Sequence, residues 1–200
     1  MKRIAFFDFD GTLTRRDTFW DFNVRYFGRL RVASALVRTA ASAVLSLRFG
    51  RSFLKETLIR VLWRGIPHES YLSFARDYSS SEIEKNLIPE AMRVFLKHIE
   101  RGDAVYIVTA SMKDWCELWA RRYGVLVIGT ELEVEDGYLT GRLGTPNCRG
   151  AEKVARIRAE VDLNGYSKIF AYGNSGGDRE MLAIADEAVY RWDHIPNLDD

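Results

Sequence analysis

The spacing of hydrophobic and polar residues changes character near residue 89. A short apolar run at residues 2–7 comes first, and residues 17–87 then follow a helical pattern. Turn-forming residues divide this helical stretch into three or four helices, at Gly28, Gly50 and Gly65-Ile66-Pro67. The first part of the chain is therefore predicted to be one buried strand followed only by helices.

After Pro89 short apolar runs alternate with amphipathic stretches. The predicted strands are residues 104–108, 125–128, 168–172 and 188–192, and the predicted helices are residues 90–101, 112–123, 151–161 and 178–186. Residues 131–143, with Asp136-Gly137 at their centre, predict a hairpin. Strands that alternate with helices favour a parallel sheet whose active groups lie at the carboxyl ends of the strands.

This order of elements predicts an α/β fold, a Rossmann-like parallel sheet core with an inserted all-helical cap domain. The core is expected to comprise residues 1–14 and 89–200, and the cap residues 15–88. A chain of 200 residues with 47% hydrophobic content is long enough for one core and one small accessory domain.

Two aspartates, Asp8 and Asp10, directly follow the first apolar run. Phosphate esters hydrolyse more easily through a covalent intermediate, and Asp8 could attack phosphorus to form an aspartyl phosphate. Asp10 could protonate the leaving alcohol and later deprotonate the attacking water. Gly11 permits a sharp turn of the backbone at this point. An Asp-x-Asp pair is usually a solvated turn, but its position after a buried strand favours a catalytic loop.

The segment Phe7-Asp8-Phe9-Asp10-Gly11-Thr12-Leu13-Thr14 resembles the first motif of the haloacid dehalogenase superfamily. Three further motifs of that superfamily appear in the expected order: Val105-Tyr106-Ile107-Val108-Thr109, Glu152-Lys153-Val154 and Tyr172-Gly173-Asn174-Ser175-Gly176-Gly177-Asp178. The helical insertion after the first motif is similar to the cap of phosphoserine phosphatases. The resemblance implies the fold of that superfamily and a phosphatase that depends on Mg²⁺.

The resemblance also implies roles for individual residues. Thr109 would donate a hydrogen bond to the phosphoryl group, and Lys153 would neutralise its charge, with Arg149 as the rival cation. Substrate contacts are implied for Gly11, Thr12, Ala110, Ser111 and Asp17. Ser111 and Asp17 have a simpler interpretation as N-caps of the helices that follow them.

The resemblance implies that Mg²⁺ is held by four residues, Asp8, Asp10, Asn174 and Asp178. Asp8 would supply its carboxylate and Asp10 its backbone carbonyl. Asn174 stands where the phosphoserine phosphatase branch usually has an aspartate, so its amide would contribute an oxygen but no charge. Either the affinity for the metal is lower, or Asp178 takes a larger part in holding it.

The expected function is hydrolysis of a phosphomonoester, either a small phosphorylated metabolite or a lipid phosphate head group. Two alternatives stay open: a phosphotransferase that uses the same intermediate, and a catalytically decayed binding protein at the membrane periphery. The chain also resembles, more loosely, bacterial phosphatidylglycerophosphate phosphatases. That likeness rests on the apolar, arginine-bearing cap and on the segment Cys148-Arg149-Gly150-Ala151-Glu152-Lys153.

Charge is distributed unevenly along the chain, although the net charge is only +1 and gives no case for a nucleic-acid partner. Residues 15–64 carry eleven Lys and Arg against three acids. On a helical wheel of residues 31–47, one face holds Arg31, Ser34, Arg38, Thr39, Ser42 and Ser46, and the other holds Val32, Leu36, Ala40, Ala43, Val44 and Leu47. Such a helix either packs on its neighbours or contacts an anionic membrane surface or lipid head group.

The two cysteines, Cys116 and Cys148, have neither metal-ligand nor disulfide spacing. A reducing compartment fits this usage best. The predicted localisation is therefore cytoplasmic, with peripheral attachment to the inner membrane face if the basic cap contacts lipid.

Overall fold

A computed structural model of the chain describes residues 2–46, 50–196 and 198, without the side chains of residues 43, 45, 46 and 51. The strands are β1 (Arg3–Phe7), β2 (Ala104–Met112), β3 (Leu126–Thr130), β4 (Leu132–Glu135), β5 (Tyr138–Leu143), β6 (Lys168–Gly173) and β7 (Glu187–Tyr190). The helices are α1 (Thr18–Phe27), α2 (Arg29–Ser46), α3 (Arg51–Trp63), α4 (His68–Lys85), α5 (Pro89–Glu100), α6 (Lys113–Ala120), α7 (Ala151–Glu160) and α8 (Arg179–Ala183).

Five of the strands form one parallel sheet in the spatial order β3-β2-β1-β6-β7. Strand β1 lies in the middle, and its side chains from Ile4 to Phe7 are completely buried because helices cover both faces of the sheet. The predicted α/β fold with a parallel sheet is confirmed. The predicted hairpin is present as the antiparallel pair β4–β5.

The four helices α1 to α4 lie between β1 and α5 in the chain, and residues 15–88 are referred to below as the helical insertion. Its turns are glycine turns, since Gly28 and Gly65 have φ angles of 79° and 78°, which favour glycine. The insertion shares one continuous hydrophobic cluster with the sheet layer. In that cluster Phe22 of α1 stacks on Trp115 of α6 with their ring centroids 4.2 Å apart.

The helical insertion is also joined to the hairpin β4–β5 by backbone hydrogen bonds. The Gly65 N–H donates to the Leu139 carbonyl at 2.8 Å, and the Leu139 N–H donates to the Ile66 carbonyl at 2.8 Å. The hairpin therefore continues into the turn between α3 and α4, which holds this end of the insertion beside the sheet.

The wheel predicted for residues 31–47 is wrong in its assignment of faces. Val32, Ala35 and Thr39 are the buried positions of α2, whereas Leu36 and Val44 of the supposed apolar face are 41% and 61% exposed. Ala40 is also exposed, and Ser42 is half-buried. The inward face of α2, which packs against α3, is therefore made of Val32, Ala35 and Thr39 and not of Leu36 or Val44. Leu47 and the side chains of Ala43 and Ser46 lie outside the described residues.

Among the described residues, no helix is both long enough and apolar enough to span a membrane.

Candidate active site

The loop after β1 places the two aspartates at the carboxyl end of the sheet. The Asp8 N–H donates to the Tyr172 carbonyl at 2.9 Å, which extends the pairing of β1 with β6 by one residue. The loop then turns back, with Gly11 at a φ angle of 75°. A Cβ atom at Gly11 would lie 1.9 Å from Nδ2 of Asn174, so both conformation and space require glycine here.

Asp8 is held by a buried lysine. Nζ of Lys153 donates to Oδ1 of Asp8 at 2.7 Å, to Oδ1 of Asp178 at 2.7 Å and to the Val108 carbonyl at 2.6 Å. All three donors of the ammonium group are thus used, and the side chain is only 1% exposed. The other Asp8 oxygen, Oδ2, accepts a longer hydrogen bond of 3.2 Å from the hydroxyl of Thr12.

Burial and charge set the protonation of this group of residues. Burial raises the pKa of Asp8 to about 6, although the ammonium of Lys153 opposes the shift. Burial lowers the pKa of Lys153, but the carboxylates of Asp8 and Asp178 outweigh it and raise this pKa to about 12. Burial likewise raises the pKa of Asp178, but Lys153 and the amides of the nearby loop hold it below its ordinary value. Lys153 is therefore charged at neutral pH.

Asp10 points away from Lys153, toward the helical insertion. Its Oδ1 accepts hydrogen bonds of 2.7 Å from both the N–H and the hydroxyl of Thr18, and its Oδ2 accepts one from the hydroxyl of Ser111. Burial raises the pKa of Asp10 to about 6, and the charge of Asp17 adds to the shift. A carboxyl group with such a pKa can carry or release a proton near neutral pH.

Strand β2 is irregular where it reaches the site. Its regular pairing with β3 stops at Val108 and resumes at Met112, which leaves Thr109, Ala110 and Ser111 in a bulge. Thr109 is fully buried, and its Oγ1 accepts the Ser111 N–H at 2.9 Å. Within the described ranges, the Thr109 hydroxyl donates to no other residue, so its proton can be donated to a ligand.

The N-cap interpretation of Ser111 is wrong, because α6 begins after Met112 and the Ser111 hydroxyl bonds Asp10. The corresponding interpretation of Asp17 is confirmed: its Oδ1 accepts the Trp20 N–H at 3.2 Å at the start of α1. Asp17 also lines the cavity that contains Asp8 and Asp10, so its role as a cap is compatible with a substrate contact.

The loop after β6 is organised by Asp178. Its Oδ2 accepts the Asn174 N–H, the Ser175 N–H and the Ser175 hydroxyl at 3.2, 2.8 and 2.9 Å. Both oxygens of Asp178 are thus engaged within the protein. The side-chain amide of Asn174, in contrast, makes no hydrogen bond to another residue in the part of the chain that the structure describes.

The hydrogen bonds of Asp8, Asn174 and Asp178 indicate which oxygen atoms are left to bind a metal ion. In the described ranges, no three His, Cys, Asp or Glu residues are grouped as a metal site. The Asp8 carboxylate and the unengaged amide of Asn174 do line one cavity, and oxygen donors of this type suit Mg²⁺. The donor set fits a magnesium site of low negative charge. The ligand role of Asp178 stays a prediction, since both of its oxygens bond within the protein, to Lys153 and to the Asn174 loop.

Most of the predicted site residues meet in one cavity of about 320 Å³. Its walls include Asp8, Asp10, Gly11, Asp17, Thr109, Ala110, Lys153, Asn174 and Asp178. Thr12 and Ser111 do not line it, and their hydroxyls support Asp8 and Asp10 instead. Lys153 is the cation in contact with Asp8, whereas Arg149 lies at the side of the cavity beside Gly177.

Sequence reasoning missed two residues of the site, Thr18 and Lys55. Nζ of Lys55, on α3, donates to the Ala110 carbonyl and, at 3.0 Å, to Oδ1 of Asn147. It thereby ties the helical insertion to the core beside the catalytic cavity. Burial lowers the pKa of Lys55 to about 8, although Asp10 and Asp17 oppose the shift. No spacing in the sequence marks Lys55, whereas Thr18 follows Asp17 and could have been considered.

The chain is similar to known proteins in its match to a family, in its sequence and in its structure. Residues 5–183 match the haloacid dehalogenase-like hydrolase family. Protein CicA from Caulobacter vibrioides is 37% identical over 193 residues, which cover 92% of this chain and 84% of CicA. A histidinol-phosphatase from Neisseria meningitidis serogroup C is 26% identical, over 94% of this chain and 90% of that protein.

A substrate-bound phosphoserine phosphatase complex has the same fold. It superposes with a TM-score of 0.68 at 16% identity, over 95% of this chain and 86% of that one. The family match covers most of the chain and includes Asp8, Thr109, Lys153 and Asp178. The protein therefore belongs to the haloacid dehalogenase-like hydrolase family.

Proposed function

We propose that this protein is an Mg²⁺-dependent phosphomonoester hydrolase that works through an aspartyl phosphate on Asp8. The observation that carries the proposal is the pairing of two unlike carboxyl groups in one cavity. Asp8 is held by the ammonium of Lys153, whereas Asp10 is held by the hydroxyls of Thr18 and Ser111 and by the Thr18 amide. The first environment suits a nucleophile and the second a group that exchanges protons.

In the first step, a carboxylate oxygen of Asp8 attacks phosphorus, and the bond from phosphorus to the leaving oxygen breaks. Asp10 transfers its proton to that oxygen and releases the alcohol. In the second step, Asp10 takes a proton from water as the water attacks phosphorus, which frees Asp8 and inorganic phosphate. Atoms and charges balance in both steps.

The remaining residues stabilise the charge of the phosphoryl group. Lys153 places its positive charge beside Asp8, and the Thr109 hydroxyl can donate to a phosphoryl oxygen. Asp8, the Asp10 carbonyl and Asn174 would hold Mg²⁺, which when bound supplies further positive charge to the phosphoryl oxygens. Asp178 positions this group by bonding both Lys153 and the Asn174 loop.

The substrate we propose is a small phosphorylated metabolite or a lipid phosphate head group. The relatives named histidinol-phosphatase and phosphoserine phosphatase support the first class, since both names refer to small phosphorylated alcohols. Gly11, Ala110 and Asp17 line the cavity where such a substrate would contact the protein. A phosphotransferase with the same intermediate differs only in the second step, where an alcohol replaces water.

The exposed surface of α2 supports contact with an anionic lipid surface. Arg31 and Arg38 are exposed there, together with Leu30 and Val37, which are 89% and 70% exposed. Exposed arginines beside exposed large apolar side chains are typical of helices that lie on a membrane surface. Arg48 and Phe49, which extend the pattern in the sequence, lie outside the described residues.

Replacement of the nucleophile should abolish turnover. Asp8→Asn keeps the shape of the side chain but removes the attacking carboxylate, and we expect kcat on an aryl phosphate to fall by at least about a thousandfold. Circular dichroism should show an unchanged fold. Asp77→Asn, an exposed aspartate on α4, is the matched control and should keep full activity. Near-normal kcat in Asp8→Asn would rule out the mechanism. Absence of activity in the wild-type protein itself would favour the binding-protein alternative.

Replacement of Asp10 should affect poor leaving groups most. Asp10→Asn cannot protonate the leaving alcohol, and we expect a loss of about 10²–10⁴-fold in kcat/KM on an alkyl phosphate. The loss should be at least tenfold smaller on p-nitrophenyl phosphate, because its leaving oxygen needs little protonation. Equal losses on both esters would contradict the role of Asp10 as the acid.

Restoring a carboxylate at position 174 should strengthen magnesium activation. Asn174→Asp adds a negative charge without changing the size of the side chain, so the Mg²⁺ concentration for half-maximal activity should fall severalfold. Asn164→Asp adds the same charge on an exposed loop and should leave that concentration unchanged. A requirement that is unaltered or weaker in Asn174→Asp would show that residue 174 is not a ligand.

Binding to a lipid surface is tested by co-sedimentation with anionic and neutral vesicles. Each arginine near an anionic surface contributes about 1 kcal/mol, so Arg31→Gln/Arg38→Gln should weaken binding to anionic vesicles by about thirtyfold. High salt should have a similar effect. The control pair Arg93→Gln/Arg158→Gln removes exposed arginines from α5 and α7 and should bind normally. Failure of the wild-type protein to sediment with either vesicle would eliminate the membrane contact.

A further inference from the structure

A second cavity of about 700 Å³ lies between the helical insertion and the core and adjoins the catalytic cavity. Asp10, Asp17, Ala110 and Arg149 line both cavities, so the two are continuous. The volume is within the range of sites that hold small organic molecules. The catalytic cavity, at about 320 Å³, contains Asp8 and Lys153, and the proposed function places the phosphoryl group there.

The walls of the larger cavity are apolar and come from three helices. Trp20 of α1, Leu36 of α2 and Leu54 of α3 are 42%, 41% and 39% exposed, and all three face this one space. Phe19 and Ala40 complete the apolar lining. Single exposed apolar residues need no explanation, but several that converge on one concave site indicate a ligand.

The base of the same cavity is polar. Asp10 and Ser111 lie there, hydrogen-bonded to each other, and Lys55 crosses from α3 to Asn147. The ammonium of Lys55 also lies 5.2 Å from the centre of the Phe19 ring. Polarity therefore changes along the cavity, from polar beside the catalytic residues to apolar along the helices of the insertion.

We infer that the larger cavity binds the apolar part of the leaving alcohol, so that the preferred substrates are phosphomonoesters of alcohols with an apolar chain or ring. This inference rests on the proposed function, because that function defines which side of phosphorus the alcohol occupies. The acid that protonates the leaving oxygen must contact it. Asp10 faces the larger cavity, and the alcohol that it protonates extends from the Asp10 side between Trp20, Leu36 and Leu54.

The experiment measures kcat/KM for ethyl, butyl and hexyl phosphate at concentrations where all three are monomeric. Burial of one methylene favours binding by about threefold to fourfold. We therefore expect kcat/KM to rise about tenfold from ethyl to butyl phosphate and by a similar factor from butyl to hexyl. Equal values for the three esters would overturn the inference while the proposed hydrolysis stands.

Leu54→Gln places an amide on the apolar wall and should flatten the rise with chain length. Leu96→Gln is the matched control: it also lies on a helix, is 37% exposed and lines neither cavity. It should keep the wild-type dependence on chain length. If kcat/KM still rises with chain length in Leu54→Gln, the cavity is not the cause of the rise. The same conclusion follows if kcat/KM rises only when the longer esters are presented in vesicles.

Binding of alkylphosphonates, measured by calorimetry, separates this inference from the proposed function. These compounds carry the same chains but cannot be hydrolysed, so their affinity reports the cavity without the chemistry. We expect affinity to rise about threefold per methylene in the wild-type protein and in Leu96→Gln, and less in Leu54→Gln. If the esters are not hydrolysed but this dependence is found, the cavity assignment holds and the proposed function fails. Affinity that is independent of chain length overturns the assignment.

Discussion

The ammonium group of Lys153 lies between the carboxylates of Asp8 and Asp178, 2.7 Å from one oxygen of each. A buried cation is tolerated only when all of its donors are paired, and here the Val108 carbonyl takes the third. Loss of one partner of such a buried pair typically costs about 3–5 kcal/mol of stability. The contact joins the ends of β1 and β2 to α7 and to the loop after β6, so the site and the sheet edge hold each other in place.

The carboxylates of Asp8 and Asp178 together carry one more charge than the single ammonium of Lys153 between them. Burial raises the pKa of Asp8 to about 6; the ammonium of Lys153 opposes the shift, and the carboxylate of Asp178 adds to it, since one ammonium cannot neutralise two carboxylates. A further cation at the cavity would relieve this excess, and the unengaged amide of Asn174 faces the same space. The Asp8 carboxylate is thus buried and only partly neutralised, which would favour the nucleophilic role proposed for it.

The helical insertion divides the site between two chemical tasks. Asp8 and Lys153 belong to the core, whereas Thr18 and Lys55 come from the insertion and contact Asp10 and Ala110. The insertion therefore bonds Asp10 and supplies the apolar wall beyond it. In the proposed function, differences in the insertion would change the alcohol that is accepted without altering the contacts of Asp8.

The sequence by itself determined the strand and helix order, the parallel sheet and the positions of Asp8, Asp10, Thr109 and Lys153. It could do so because a buried strand followed by a polar loop is a local pattern, and parallel strands bring such loops to one edge. The tertiary structure alone decided which face of α2 is buried, that the Ser111 hydroxyl serves Asp10, and that Lys55 reaches Ala110. Those outcomes depend on contacts between residues far apart in the chain, and neither periodicity nor local spacing records which distant atoms will meet.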